Sequence, residues 1–268
     1  MKAIKEYLNS FKLKKTFWQT FAIDLITILL ILALFASILL LLNSQAKQIS
    51  NGKDIELLKQ QLLDGTIDSQ QFLGQIKMLI FILLVGGSLV TIASLLLYSF
   101  SRNIVWNLLL NQKSKLNWKW NWLIIILIIF ATVYTGIGLF IWMLLNLLIA
   151  ALLTAGGLAA SIITGIMLML LLIIWLFFAM AVYYSYSHSN KIWLSIGEAF
   201  NVIKTHWSKL WKALLLAFFT LFIINLIAWL LGIWLFSYPT SITIIKYGMF
   251  FFFVTWLRVY LVSLIKEN

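Results

Sequence analysis

The stretch Trp122–Tyr186 reads WLIIILIIFATVYTGIGLFIWMLLNLLIAALLTAGGLAASIITGIMLMLLLIIWLFFAMAVYYSY and holds no aspartate, glutamate, lysine, arginine or histidine. A helix crosses a bilayer core in about 20 apolar residues at about 1.5 Å each, so this run is too long for one helix. Thr154-Ala155-Gly156-Gly157 near its middle offers a turn, which gives spans at residues 123–149 and 158–184. Working outward, similar runs place spans at 17–42 and 78–100 before it and at 213–236 and 242–265 after it. Ser237-Tyr238-Pro239-Thr240-Ser241 reads as a tight turn between the last two, because proline fixes φ and cannot continue a helix. Each run is continuously apolar rather than alternating, which favours helices over a barrel. The expected fold is all-α: a polytopic transmembrane helical bundle of six spans, one transmembrane domain over residues 1–268, with interfacial amphipathic helices.

Composition agrees. Of 268 residues, 63% are hydrophobic and 10% charged, too few charges to cover a soluble domain of this size. The net charge of +12 would ordinarily raise nucleic acid as a partner. Here the lysines fall between apolar runs, so the membrane surface accounts for them and no nucleic acid is expected. There is no cysteine, which excludes disulfides, thiolate metal sites and cysteine nucleophiles. The apolar run Phe21–Leu42 is too long for a cleavable signal and reads as an uncleaved anchor.

Loop charges set the expected topology. The N-terminal segment carries Lys2, Lys5, Lys12, Lys14 and Lys15 against Glu6. The second-to-third connection carries Arg102, Lys113, Lys115 and Lys119 with no acid. The fourth-to-fifth carries Lys191, Lys204, Lys209 and Lys212 against Glu198. On the opposite side, four lysines between Asn43 and Lys77 are matched by Asp54, Glu56, Asp64 and Asp68. The positive-inside rule then puts both termini on the cytoplasmic side of the membrane. Trp18, Trp106, Trp118, Trp120, Trp122, Trp193, Trp207 and Trp211 fall near the same inner boundary, where an amphipathic ring is favoured.

Two polar connections have local structure of their own. Residues 43–77 read as an extracytoplasmic helical hairpin, with Gly65 as an αL cap and Asp68-x-x-Gln71 as a capping box. The segment Glu56–Phe72 resembles a short helix–turn–helix that serves bacterial proteins as an oligomerisation module, which implies a homo- or hetero-oligomer. Residues 191–205 read as a helix in the inner headgroup plane, with Ile192, Ile196, Phe200, Ile203 and Trp207 on one apolar face. Anionic lipid headgroups are the expected partner of its lysines.

Ionisable groups inside spans are costly and are site candidates by default. Asp24 in the first span and Arg258 in the sixth lie at similar depth from the inner boundary, so they are expected to pair. Asn146 and Asn225 are expected to bond between helices, and Lys246 to reach outward. Close helix contacts are expected at Gly157, Ser161 and Gly165, at Thr132 and Gly136, and a bend at Gly86-Gly87. His188 and His206 lack the neighbours that a metal needs, so neither metal nor cofactor is expected. No nucleophile elbow, P-loop or zincin motif occurs in the sequence, and no catalytic residue is expected.

Ser195-Ile196-Gly197-Glu198-Ala199-Phe200, the break near Thr205-His206-Trp207, and Trp256-x-Arg258 in the last span carry a resemblance over the C-terminal third. They resemble a broad prokaryotic group of uncharacterised six-helix membrane proteins, which includes the membrane domain attached to some glycerophosphodiester phosphodiesterases. The resemblance implies the fold and a bacterial or archaeal plasma membrane, and it transfers no catalytic residue. The expected function is a non-catalytic scaffold, assembly or lipid-interacting module. The alternative is a small transporter or channel using Asp24.

Overall fold

A computed structural model of the chain describes Tyr7, residues 15–50, Asp64, and residues 69–112, 117–152, 157–234 and 239–266. Among these residues the regular structure is helical throughout, with no strand. In chain order the helices are α1 (Lys15–Ser50), α2 (Ser69–Phe81), α3 (Gly87–Leu110), α4 (Lys119–Leu152), α5 (Gly157–Ser189), α6 (Ile192–Thr205), α7 (Trp207–Trp234) and α8 (Pro239–Lys266). A π turn, Ile82–Gly86, joins α2 to α3. Six helical stretches are long and apolar enough to cross a membrane: Lys15–Ile49, Phe72–Leu110, Lys119–Leu144, Thr164–Ser189, Trp207–Ile233 and Thr240–Ile265. The chain is a multi-pass, all-α membrane protein.

The helices outrun the apolar segments that announce them. Residues 43–50, read from sequence as the start of a polar loop, are the last two turns of α1. Arg102, counted with the second-to-third connection, is helical, and Lys77 lies in α2, where a helix after Asp68 is expected. Helix propagation adds one hydrogen bond per residue, so polar ends continue a helix once it is nucleated. Pro239 does not make a turn but opens α8, where its missing N–H costs nothing and its fixed φ suits the first turn. The Gly65 and Asp68 caps, the turn at 154–156, residues 235–238 and the Lys113–Lys115 connection lie outside the described residues. So do the lysines ahead of Lys15.

The chain forms two compact units, Met1–Ala22 with Asn103–Asn268, and Ile23–Arg102. The second is a helical hairpin. Asp24 meets Arg102 at one end, and Ile38 closes on Gly86 further along, where an added Cβ would stand 2.6 Å from the Ile38 Cδ1. The two contacts are separated by nearly equal lengths of helix in opposite directions, so the helices run antiparallel. The π turn ends at Gly86, and Ser88 and Thr91 bond back to the carbonyls of Leu84 and Gly87.

In the larger unit, buried side chains gather at one end of each helix. They run mainly from Trp120 to Leu127 in α4, Ile173 to Ser187 in α5, Leu210 to Leu221 in α7 and Phe253 to Leu264 in α8, with Ala228 buried further along α7. The opposite ends of α4, α7 and α8 expose Ile137, Phe140, Trp229, Ile233 and Ile244, as lipid-facing surface does. Rings fill the packed end. Trp120 stands edge-on to Tyr186 at 4.9 Å and stacks on Tyr183 at 5.8 Å, and Trp256 stacks on Tyr260 at 5.4 Å. Trp106 and Trp120, expected in an aromatic belt, are thus core residues, while Trp18, Trp118, Trp122, Trp193, Trp207 and Trp211 are exposed. Asn111 and Asn190, both at φ 55°, end α3 and α5 in the left-handed conformation that glycine usually supplies. The Asn117 amide donates to the Asn190 side chain at 3.0 Å, tying the start of α4 to the end of α5.

Glycine contacts fall differently from the expected pattern. Added Cβ atoms at Gly136 and Gly165 would meet open space, while at Gly138 one would stand 3.0 Å from Leu171 Cδ1 across the α4–α5 contact. Gly138→Val should therefore lower stability by about 1–2 kcal/mol more than Gly136→Val. Thermal unfolding of both variants in lipid nanodiscs would measure the difference, and equal losses would contradict the assigned contact.

Candidate functional site

Asp24 and Arg102 form a buried ion pair in the smaller unit, at 2% and 6% exposure. The Arg102 guanidinium donates to Asp24 Oδ1 and, more weakly, to Ser101 Oγ at 3.4 Å. Its Cζ lies 4.8 Å from the centroid of the Tyr98 ring, a cation–π distance. Two charges removed from water are tolerated only when each is matched, and pairing offsets a cost of about 2.5–3.5 kcal/mol per group in hydrocarbon. The expectation from sequence named Arg258 as the partner of Asp24. Within its own unit Asp24 meets Arg102, and Arg258 is buried in α8 of the larger unit. Arg102 escaped notice because it was counted with the loop lysines. The apolar residues Ile104-Val105-Trp106 just beyond it were the signal that the helix continues.

Tyr134 and Trp142 donate across to the Leu171 carbonyl and Thr164 Oγ1 at 3.0 and 3.1 Å, while several other polar groups of the spans bond locally. Asn225 donates to the Leu221 carbonyl of its own helix at 3.0 Å rather than to a neighbouring helix. Thr20 and Thr27 bond back to Phe17 and Ile23. His188 Nδ1 lies 2.9 Å from the Tyr184 carbonyl, and His206 Nδ1 lies 3.0 Å from that of Val202. Lys246 is exposed, and the Asn146 side chain is outside the described residues. Among the described residues no three of His, Asp and Glu converge as metal ligands would.

Helix α6 doubles back along α5. Ser189 and Ser195 share a hydrogen bond of 2.9 Å beside the turn, and further from it Phe178 meets Phe200 with ring centroids 5.2 Å apart. The packed side of α6 is built from Ser195 and Ala199, small enough for close approach. Ile192, Ile196 and Ile203 flank that side half-buried, whereas Phe200 and Trp207 face outward. The expected stripe therefore divides between two surfaces. The helix packs back against α5 as the second arm of a hairpin. His206 alone separates α6 from α7, and the Thr205 hydroxyl bonds back to the Asn201 carbonyl at 2.7 Å, as at helix bends. The outward face of this elbow carries Trp193 at 72% exposure, Phe200, and a Trp207–Trp211 pair 6.1 Å apart, with Lys191, Lys204 and Lys212 exposed beside them.

Tyr7 has no counterpart in the sequence reading, because one tyrosine in a basic segment gives no signal. Its ring stands edge-on to Trp256 and Tyr260, at 5.7 and 5.9 Å. Its hydroxyl meets Thr220 Oγ1 at 2.7 Å.

No family model, curated protein or solved structure matches this chain.

Removing either charge of the ion pair should cost about 3 kcal/mol or more. Asp24→Asn and Arg102→Gln should each lower the unfolding midpoint in nanodiscs, while the double variant Asp24→Leu/Arg102→Met recovers part of the loss. Single variants as stable as the parent chain would show that the pair holds nothing together.

Proposed function

We propose that this chain is a non-catalytic, lipid-interacting scaffold of a prokaryotic plasma membrane, with both termini cytoplasmic and the α6–α7 elbow held against anionic headgroups. The observation that carries this reading is the outward face of the elbow, where Trp193, Phe200, Trp207 and Trp211 stand beside Lys191, Lys204 and Lys212. Tryptophan is at its best between hydrocarbon and water, and each lysine near an anionic surface is worth about 1 kcal/mol. The hairpin with α5 fixes this face through its small residues, so the aromatic groups are presented without first being ordered.

Polar groups elsewhere support a structural role. Asp24 is engaged by Arg102, His188 meets the Tyr184 carbonyl of its own helix, and His206 meets the Val202 carbonyl of the helix it ends. A proton- or ion-coupling carboxylate is better served by water than by a guanidinium. The sequence resemblance to prokaryotic six-helix membrane proteins supports the same class and compartment.

The test is lipid retention, counted by native mass spectrometry on chain extracted from vesicles of equal phosphatidylglycerol and phosphatidylcholine. Phosphatidylglycerol should predominate, and Lys191→Gln/Lys204→Gln/Lys212→Gln should cut the preference by about fivefold per lysine removed. Equal retention of both lipids, unchanged in the triple variant, would overturn the proposal.

A further inference from the structure

A cavity of about 640 Å³ lies within the larger unit, between the start of α1 and the facing sides of α7 and α8. Phe21, Ile223, Ile224, Gly248, Met249 and Phe252 supply most of its wall. The hydroxyls of Tyr7 and Thr220 stand at the end nearest Trp256. Thr220 gives its proton to the Leu216 carbonyl at 2.8 Å, so Tyr7 must be the donor in their shared bond. The phenol is thereby fixed, and its ring and that of Trp256 line that end.

The volume lies within the roughly 300–1,000 Å³ of small-molecule sites. Water is a poor occupant, because each buried water needs two to four polar partners and this wall is almost wholly apolar. Emptiness is no better, since a void of this size forfeits the dispersion contacts of every side chain around it. The wall belongs to stretches with the hydropathy of membrane spans, so the medium offered at its open side is lipid hydrocarbon. We infer that this cavity is a binding site for one hydrocarbon chain of a membrane lipid, which enters from the bilayer past Gly248 and ends against Tyr7. This site is separate from the headgroup surface on the elbow and does not depend on it.

Gly248 gives direct access to a test. Gly248 lines the cavity and a Cβ there would meet nothing within 4 Å, so the wall has room for a larger side chain at this position. The full chain would be reconstituted in vesicles of phosphatidylcholine carrying a photoactivatable diazirine in one acyl chain, and the adducts mapped by peptide mass spectrometry. Adducts should concentrate on Ile223, Ile224 and Met249 over the exposed leucines 39–41 of α1. Gly248→Phe should reduce them by roughly tenfold, equivalent to about 1.4 kcal/mol, while Gly248→Ala leaves them in place. Adducts spread evenly over all lipid-facing helices, or unmoved by Gly248→Phe in a chain of unchanged helicity, would overturn the inference. Phosphatidylglycerol retention measured on the same Gly248→Phe chain should stay at the parent level. Its loss would indict the fold of the variant, and its persistence separates this site from the elbow.

Discussion

Hydrocarbon offers no hydrogen bond to a peptide group, and every feature of this chain follows from that constraint. Backbone polar groups must be satisfied within the segment, so the apolar runs are helices and remain helices past their apolar limits. Side-chain polar groups face the same demand. Asp24 meets it with Arg102, while Asn225, Thr20 and Thr27 meet it with carbonyls of their own helices. None of these solutions requires a partner molecule, and all of them stiffen the helices that carry them.

The constraint also separates two kinds of packing. Between Phe253 and Leu264, α8 is buried on almost every side, and its neighbours bring aromatic rings and small residues to it. Toward Pro239 the same helix exposes Ile244 and Tyr247. In lipid there is little to gain by burying leucine against leucine, so shape and polar contacts decide where helices touch. The packed end of the larger unit holds the buried rings of Trp106, Trp120, Tyr186, Trp256 and Tyr260. The other ends expose Ile137, Phe140, Trp229, Ile233, Ile244 and Tyr247 to the bilayer.

Much of this was legible in the sequence. Continuous apolar runs defined six helices because length and hydropathy suffice for that inference. The helix after Lys191 was visible from its periodicity and its basic ends. What periodicity could not give was the side on which it packs, since Ser195 and Ala199 carry no hydrophobic signal and yet form its contact surface. Arg102 was hidden by a rule that counts basic residues in loops, which fails wherever a helix carries its charge inward. Gly138 could not be told from Gly136 because both are glycines in one apolar helix, and only the approach of Leu171 distinguishes them. Tyr7 depends on contacts far along the chain, with Thr220, Trp256 and Tyr260, which no local pattern reports.

The central claim is that the larger unit is packed at one end and open to lipid at the other. The chain contains no cysteine, so single cysteines can be placed at will and spin-labelled. A nitroxide scan along α8 from Ser241 to Ser263, read in nanodiscs by mobility and by collision with oxygen, follows the transition directly. The account predicts mobile, oxygen-accessible labels at most positions up to Gly248, then immobile, inaccessible labels from Phe253 onward on all sides of the helix. A steady alternation with helical period along the whole of α8, one face buried from end to end, would contradict it.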